Sequence, residues 1–85
     1  MYELFVANSK AEKMLKWYKK QRGDIEEKLS RLREDPRRAI GAHPLHGRLV
    51  GKWSCWLGSN IRMVYSIDDA NQRIVILSVG SHSIY

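Results

Sequence analysis

The sequence feature that most restricts the fold is a series of three strand-like segments in the C-terminal part of the chain. The segments are rich in apolar, β-branched and aromatic residues, and they occupy residues 52–57, 61–67 and 73–80. Short polar turns connect them. Such turns can join antiparallel neighbours, whereas parallel strands need a crossover of about a dozen residues or more. The sequence therefore predicts an antiparallel three-stranded meander.

The N-terminal part predicts one strand and two helices. Residues 2–6 form a short apolar run that is typical of a strand. Ser9 and Glu12 have the spacing of a capping box, which predicts a first helix starting at this point. The same pattern recurs at Asp24, and a second helix is expected to end before Pro36. Because almost nothing separates the two helices, they should form a hairpin.

The order of these elements predicts an α+β fold, β-α-α-β-β-β. We expect the N-terminal helix hairpin to pack on one face of a four-stranded, mostly antiparallel sheet. A chain of 85 residues supports a single domain, residues 1–85.

Strand alternation then predicts which side chains face the helices and which lie on the open face of the sheet. The expected helix-facing residues are apolar: Trp53, Cys55, Leu57, Met63, Tyr65, Ile67, Val75, Leu77 and Val79. The expected open-face residues are Ser54, Trp56, Arg62, Val64, Ile76 and Ser78. An Arg and a Trp on an open face can form an RNA platform, because a guanidinium binds phosphate and an indole stacks a base. The alternative is that Trp56 only covers a sheet edge and Arg62 is solvated.

The charge balance indicates an anionic partner. Lys and Arg number 15 against 9 acidic residues, a net charge of +6. RNA, DNA or an acidic protein would complement this charge. Residues 1–35 hold 9 basic and 7 acidic side chains, and residues 36–85 hold 6 and 2. The second half therefore has the stronger predicted tendency to contact phosphate.

The cellular compartment is predicted from what the chain lacks. The single cysteine, Cys55, excludes an internal disulfide and fits a reducing cytosol. The N-terminus does not have the pattern of a signal peptide, and no apolar stretch is long enough to span a membrane. We expect a cytoplasmic protein without a membrane partner.

The candidate chemistry is metal-free RNA cleavage. The histidines and the cysteine lack zinc-ligand spacing, so no metal site is expected. Histidine can act as acid or base near neutral pH, and an Arg can stabilise the charge that develops on the phosphate. The residues suited to these roles are His43, His46, Arg62, His82 and Tyr85.

Three segments of the chain read HPLHG at 43–47, IRMVY at 61–65 and VGSHSIY at 79–85. In order and spacing they resemble signatures of the RelE/ParE toxin superfamily, in particular its YafQ-like and RelE/StbE-like branches. The resemblance covers essentially the whole chain. It implies a type II toxin that cuts mRNA on the ribosome, needs no cofactor, and is held silent in a hetero-oligomer with an acidic antitoxin.

The resemblance also implies roles for individual residues. His43, His82 and Tyr85 match active-site positions, and Arg62 matches an arginine that binds phosphate. Auxiliary contacts to RNA are expected from His46, Arg48, Lys52 and Trp56.

The chain departs from these relatives at several positions. Residues 53–57 lack the two lysines that RelE carries in this strand. Trp56 stands where YafQ-like toxins have a His, and Asn60 stands near the position of an Asp. The C-terminal motif is also one residue shorter than usual between His82 and Tyr85.

Two alternatives remain open at this point. A ParE-like toxin shares the fold and inhibits DNA gyrase by binding, without cutting RNA. A basic RNA-binding module, or a non-catalytic toxin homologue, would bind RNA without arresting growth.

Overall fold

The computed structural model describes residues 1–58 and 60–81. Their helices and strands are β1 (Glu3–Val6), α1 (Ser9–Gln21), α2 (Ile25–Glu34), β2 (His43–Pro44), β3 (Trp53–Gly58), β4 (Ile61–Asp68) and β5 (Arg73–Ser81). Two short 3-10 turns, Ala39–Gly41 and Gly47–Leu49, lie in the connection between α2 and β3. Neither helix in this part of the chain has the length and apolar character needed to cross a membrane.

The strands form one sheet in the order β1-β5-β4-β3-β2. β3, β4 and β5 form the predicted antiparallel meander, and β1 pairs in parallel with β5. The α+β fold is thus confirmed, but the sheet has five strands where four were expected. The fifth is β2, in which His43 lies opposite Ser54 at the edge of β3.

Both helices pack on one face of this sheet. Ile25 and Leu32 of α2 are fully buried there, together with Met63 and Tyr65 of β4. The Tyr65 hydroxyl donates a hydrogen bond of 2.6 Å to the backbone carbonyl of Pro36, just after α2. Burial raises the pKa of this phenol well above its usual value. The buried Tyr65 hydroxyl thus finds its hydrogen-bond acceptor in the segment that follows α2.

The helices begin where they were predicted, but their capping interactions differ from the prediction. Asn8, and not Ser9, is the N-cap of α1, because its side-chain oxygen accepts a hydrogen bond from the Ala11 amide at 2.8 Å. The Asn8 side chain also donates to the Leu77 carbonyl of β5, which ties the helix start to the sheet.

At the start of α2, Asp24 occupies the cap position but makes no side-chain capping bond. Its carboxylate binds Arg22 at 3.2 Å and Lys28 at 3.1 Å. These two cations lower the pKa of Asp24 to about 2. An ion-pair cluster therefore replaces the expected capping box.

The face assignment in β5 is partly wrong, because the strand contains a bulge. Val64 pairs with Ser78, but the next residue, Tyr65, pairs with Ile76, so Leu77 is an extra residue in β5. The extra residue reverses the alternation on one side of the bulge. Ile76 is therefore fully buried under the helices, whereas Leu77 is only half-buried.

The remaining face assignments in β5 follow from the same bulge. Val75 lies on the open face and not, as predicted, under the helices, since its neighbours Ile74 and Ile76 both belong to the core. Val79 and Ser78, beyond the bulge, have the predicted orientation.

A candidate phosphate-binding site on the open sheet face

The open face of the sheet carries an Arg–Trp pair near the turn that joins β3 to β4. Trp56 of β3 and Arg62 of β4 are direct cross-strand partners, so their side chains lie on the same face. The Arg62 guanidinium carbon lies 4.0 Å from the centre of the Trp56 ring. Both residues are half-buried, and the Arg62 Nε is shielded from solvent. A cation–π contact this close fixes a guanidinium that would otherwise sample many rotamers.

The Trp56 ring is also held by the backbone of Gly41. A Cβ atom on Gly41 would lie only 2.7 Å from the Trp56 Cδ1, closer than side chains tolerate. Gly41 has a φ of +70°, in the left-handed region that favours glycine. A residue with no side chain is thus required both by the backbone conformation and by the indole packed against it.

His43 lies on the same face, two strands from Arg62. It is the Cα partner of Ser54, which in turn is opposite Val64 of β4. Two strand spacings place the His43 Cα about 10 Å from β4. Its Nδ1 is 3.0 Å from the Gly41 carbonyl oxygen. Because a carbonyl oxygen only accepts hydrogen bonds, Nδ1 carries the proton, and Nε2 of the neutral ring is left as the proton acceptor.

The other predicted cationic residues lie in the loop that leads from β2 to β3. His46 and Arg48 are exposed at a 3-10 turn, and Lys52 is half-buried immediately before β3. Among residues 1–58 and 60–81, no hydrogen bond or ion pair joins any of these three to Arg62. The structure thus places Trp56, Arg62 and His43 on one face and leaves the other three residues in the loop beside it.

His82 and Tyr85, two further residues of the predicted site, lie outside the described residues. The described part of β5 ends at Ser81, which pairs with Ile61 next to Arg62. The chain thus leaves the described structure beside the Arg–Trp pair.

A second Arg–aromatic pair on the open face was not predicted. The Arg73 guanidinium carbon lies 5.0 Å from the centre of the Phe5 ring, and Phe5 is 41% exposed. Arg73 lies opposite Glu3 on one side and Asp68 on the other. Two neighbouring carboxylates offset its charge, which makes this end of the face less favourable for a phosphate than the Arg62 end.

A further side-chain cluster connects the β4–β5 turn and the start of the chain to the segment that follows α2. Arg37 binds both carboxylate oxygens of Asp69, at 2.8 and 3.1 Å, and the Tyr2 hydroxyl donates to the same carboxylate. Arg37 and then Tyr2 are the main causes that lower the pKa of Asp69 to about 2. Asp69 was predicted only as part of a polar turn, and nothing local in the sequence indicated its distant partners.

The sequence and the structure are both similar to known toxins. Residues 6–84 match the family model described as the ParE toxin of the type II toxin-antitoxin system parDE. No protein of curated function matches the chain significantly.

Among solved structures, the RelBE2 toxin-antitoxin complex from Mycobacterium tuberculosis superposes with a TM-score of 0.75 at 25% identity, over 95% of this chain and 98% of the other. A YoeB/ParE toxin from Agrobacterium tumefaciens gives 0.76 at 21% identity, over 96% and 99%. YafQ from Escherichia coli gives 0.69 at 16% identity, over 98% and 96%.

Proposed function

The chain belongs to the ParE toxin family of type II toxin-antitoxin systems, within the RelE/ParE superfamily. From the geometry of its open sheet face we propose that it is a ribosome-dependent mRNA endoribonuclease that arrests translation. The observation that carries the proposal is the Arg62 guanidinium held on the Trp56 ring, with His43 on the same open face. This arrangement offers a fixed cation and a proton acceptor on one surface, as cleavage of a phosphodiester requires.

In the proposed reaction the ribose 2′-oxygen attacks the adjacent phosphorus and the 5′-oxygen leaves. Arg62 stabilises the negative charge that builds up on the phosphate oxygens. His43 accepts the 2′-OH proton through Nε2, and His82 donates a proton to the leaving 5′-oxygen. Tyr85 orients the nucleotide. Trp56 positions the Arg62 guanidinium, and a base can stack only on the part of the ring that Arg62 leaves open.

Three residues of the loop complete the proposed RNA contact. His46, Arg48 and Lys52 lie on the chain between β2 and β3, beside the His43 end of the open face. They would bind backbone phosphates on either side of the scissile bond, a contribution that is independent of base identity. In this role they replace the strand lysines that the sequence lacks.

We also propose an acidic antitoxin as the partner that silences the toxin in the cytoplasm. The similar structure from M. tuberculosis is a toxin-antitoxin complex, and a net charge of +6 calls for a negatively charged partner. Covering the Arg62–Trp56 pair would block access of RNA to the site.

The proposal is tested by mapping 5′ ends of mRNA on translating ribosomes that have been incubated with the purified toxin. Arg62→Ala should lower the cleavage rate about 100-fold or more, since it removes the charge that stabilises the transition state. Arg73→Ala is the matched control, because Arg73 also stacks on an aromatic ring of the open face. Equal effects of the two substitutions would contradict the assignment of the site.

A gyrase-inhibiting toxin is the second candidate, and the ParE identity of the matching family favours it. Parallel assays of DNA supercoiling and of translation in vitro distinguish the two candidate functions. Inhibition of supercoiling without mRNA cleavage would select the second candidate.

A further inference from the structure

The outer side of α1 carries three lysines and a tryptophan along one line of the helix. Lys10, Lys13, Trp17 and Lys20 follow one another at intervals of three, four and three residues, which keeps them on one side of a helix. All four are exposed, and Trp17 retains 54% of its accessible surface. The opposite side of the helix packs into the hydrophobic core through Ala11 and Leu15. We call these four residues the α1 cationic face.

The three lysines of this face differ from the other lysines of the helix in their partners. Lys16 pairs with Glu12 at 3.1 Å, and Lys19 pairs with Glu26 at 2.9 Å. No carboxylate within residues 1–58 and 60–81 pairs with a lysine of the α1 cationic face. The nearly balanced charge of the N-terminal part of the sequence conceals this, since Glu12, Asp24, Glu26 and Glu27 pair with other basic residues.

The chemistry of the face favours RNA over a protein partner. Lysine is depleted from protein–protein interfaces, so three unpaired lysines around a tryptophan are atypical of one. Flexible ammonium groups suit the phosphate backbone, and an exposed indole can stack an unpaired base. We propose that the α1 cationic face binds the phosphate backbone of a folded RNA, with Trp17 stacked on an accessible base.

This surface is distinct from the candidate cleavage site. The helices cover one face of the sheet and Arg62 lies on the other, so the sheet and the body of α1 separate Lys13, Trp17 and Lys20 from the Arg–Trp pair. Lys10, at the start of the helix, lies nearer to the sheet and lines a cavity with Ser78 of β5. The RNA bound by α1 is therefore a different element from the strand at Arg62. The inference rests on the proposed function in one respect: the folded RNA is that of the ribosome, and the cut strand is mRNA.

The test compares two double variants of the full-length toxin in binding to purified vacant ribosomes at increasing KCl concentrations. Lys13→Gln/Lys20→Gln removes two unpaired lysines, and Lys16→Gln/Lys19→Gln removes two paired ones from the same helix. The first should weaken binding about tenfold or more near 0.1 M salt and flatten the slope of log affinity against log salt by about 1.5 units. The second should leave the slope nearly unchanged.

The outcomes separate this inference from the proposed function. If the two double variants bind with equal slopes while the wild type cleaves mRNA, the inference fails and the nuclease stands. If the slopes differ as expected while no cleavage occurs, the RNA surface stands and the nuclease fails. If Lys13→Gln/Lys20→Gln weakens only antitoxin binding, or only binding to anionic lipid vesicles, the face belongs to that partner and the inference is overturned.

Trp17 provides an independent readout of base stacking. Trp17→Ala should weaken ribosome binding about fivefold or more without changing the salt slope, because stacking releases no counterions. Trp17→Phe should restore part of the affinity. Since the side chain retains 54% of its accessible surface, the melting temperature should stay within about 4 °C of the wild type. Wild-type affinity of Trp17→Ala would remove the stacking role.

Discussion

The Arg62 guanidinium carbon lies 4.0 Å from the centre of the Trp56 ring, across the antiparallel strands β3 and β4. A guanidinium so placed is preorganised for a phosphate, because its orientation no longer has to be fixed when the ligand binds. If Trp56 acts by holding Arg62, the two residues work as one unit, and their substitutions cannot have independent effects.

The first prediction tests this coupling. Trp56→Ala should lower the rate of mRNA cleavage about tenfold, in line with the loss of a partly desolvated cation–π contact. The double variant Arg62→Ala/Trp56→Ala should be no slower than Arg62→Ala alone. Initial cleavage rates of the three variants give the interaction energy. Rate losses that simply multiply would instead show that Trp56 acts by itself, for example by stacking a base.

The second prediction concerns the glycine behind the indole. Gly41→Ala should destabilise the fold by about 1 kcal/mol through its left-handed backbone and by a further ~1–3 kcal/mol through crowding against Trp56. Gly47 is the matched control, with a φ of +66° and nothing within 4 Å of a Cβ. Gly47→Ala should show only the first effect and keep full cleavage activity. Urea denaturation measures the stability of the two variants, and initial rates measure their cleavage activity. Equal losses of stability in Gly41→Ala and Gly47→Ala would mean that the indole can move aside.

The third prediction follows from the bulge in β5. Ile76→Ala should lower the free energy of unfolding by about 2–5 kcal/mol, because a fully buried side chain leaves a cavity. Leu77→Ala should cost about 1 kcal/mol or less, since Leu77 is half-buried at the extra position. Regular alternation through the strand would give the opposite ranking. Urea denaturation at pH 7 decides between the two.

The same strand shows how far the sequence could predict the fold. Period-two alternation correctly oriented β3 and β4, and it placed Arg62 and Trp56 on one face, because their pairing depends only on the short turn between the strands. It misplaced Ile76 and Leu77 because a bulge depends on the pairing across strands and leaves no mark in the local pattern.

The candidate site shows a similar division. The short hairpin between β3 and β4 made the Arg62–Trp56 pair predictable. The packing of Gly41 on the indole was not predictable, because it depends on how the long connection between α2 and β3 folds against the sheet. The position of His43 beside Ser54 required the two-residue strand β2, which is too short to give a periodic signal. Contacts between residues distant in sequence were thus the part that could not be predicted.

The fourth prediction is a pH dependence of stability caused by Asp69. Arg37 and Tyr2 hold its folded pKa at about 2, below the usual value of 3.8, so the unfolded chain binds more protons in acid. The stabilisation is therefore complete above the unfolded pKa and is lost as the pH falls from about 4 to 2. Asp69→Asn should lower the melting temperature most at pH 6–7, and the difference should vanish near pH 2.

Glu34→Gln is the control for this pH dependence. Glu34 is exposed and has no ion pair within the described part of the chain. Its substitution should leave the melting temperature unchanged across the same pH range. A constant difference between Asp69→Asn and the wild type down to pH 2 would show that the effect does not come from the charge of Asp69.

The fifth prediction separates the two histidines of the loop that contains β2. His43 donates from Nδ1 to the Gly41 carbonyl and faces the sheet surface that carries Arg62, whereas His46 is exposed and makes no such contact among the described residues. Only the His43 ring is therefore fixed with Nε2 free to accept a proton. His43→Gln should slow single-turnover cleavage about 100-fold, because it removes the group that accepts the 2′-OH proton. His46→Gln should remain within about twofold of the wild type. If the two substitutions slowed cleavage equally, the base would have to be another group, and His43 would serve only to anchor the Gly41 turn against Trp56.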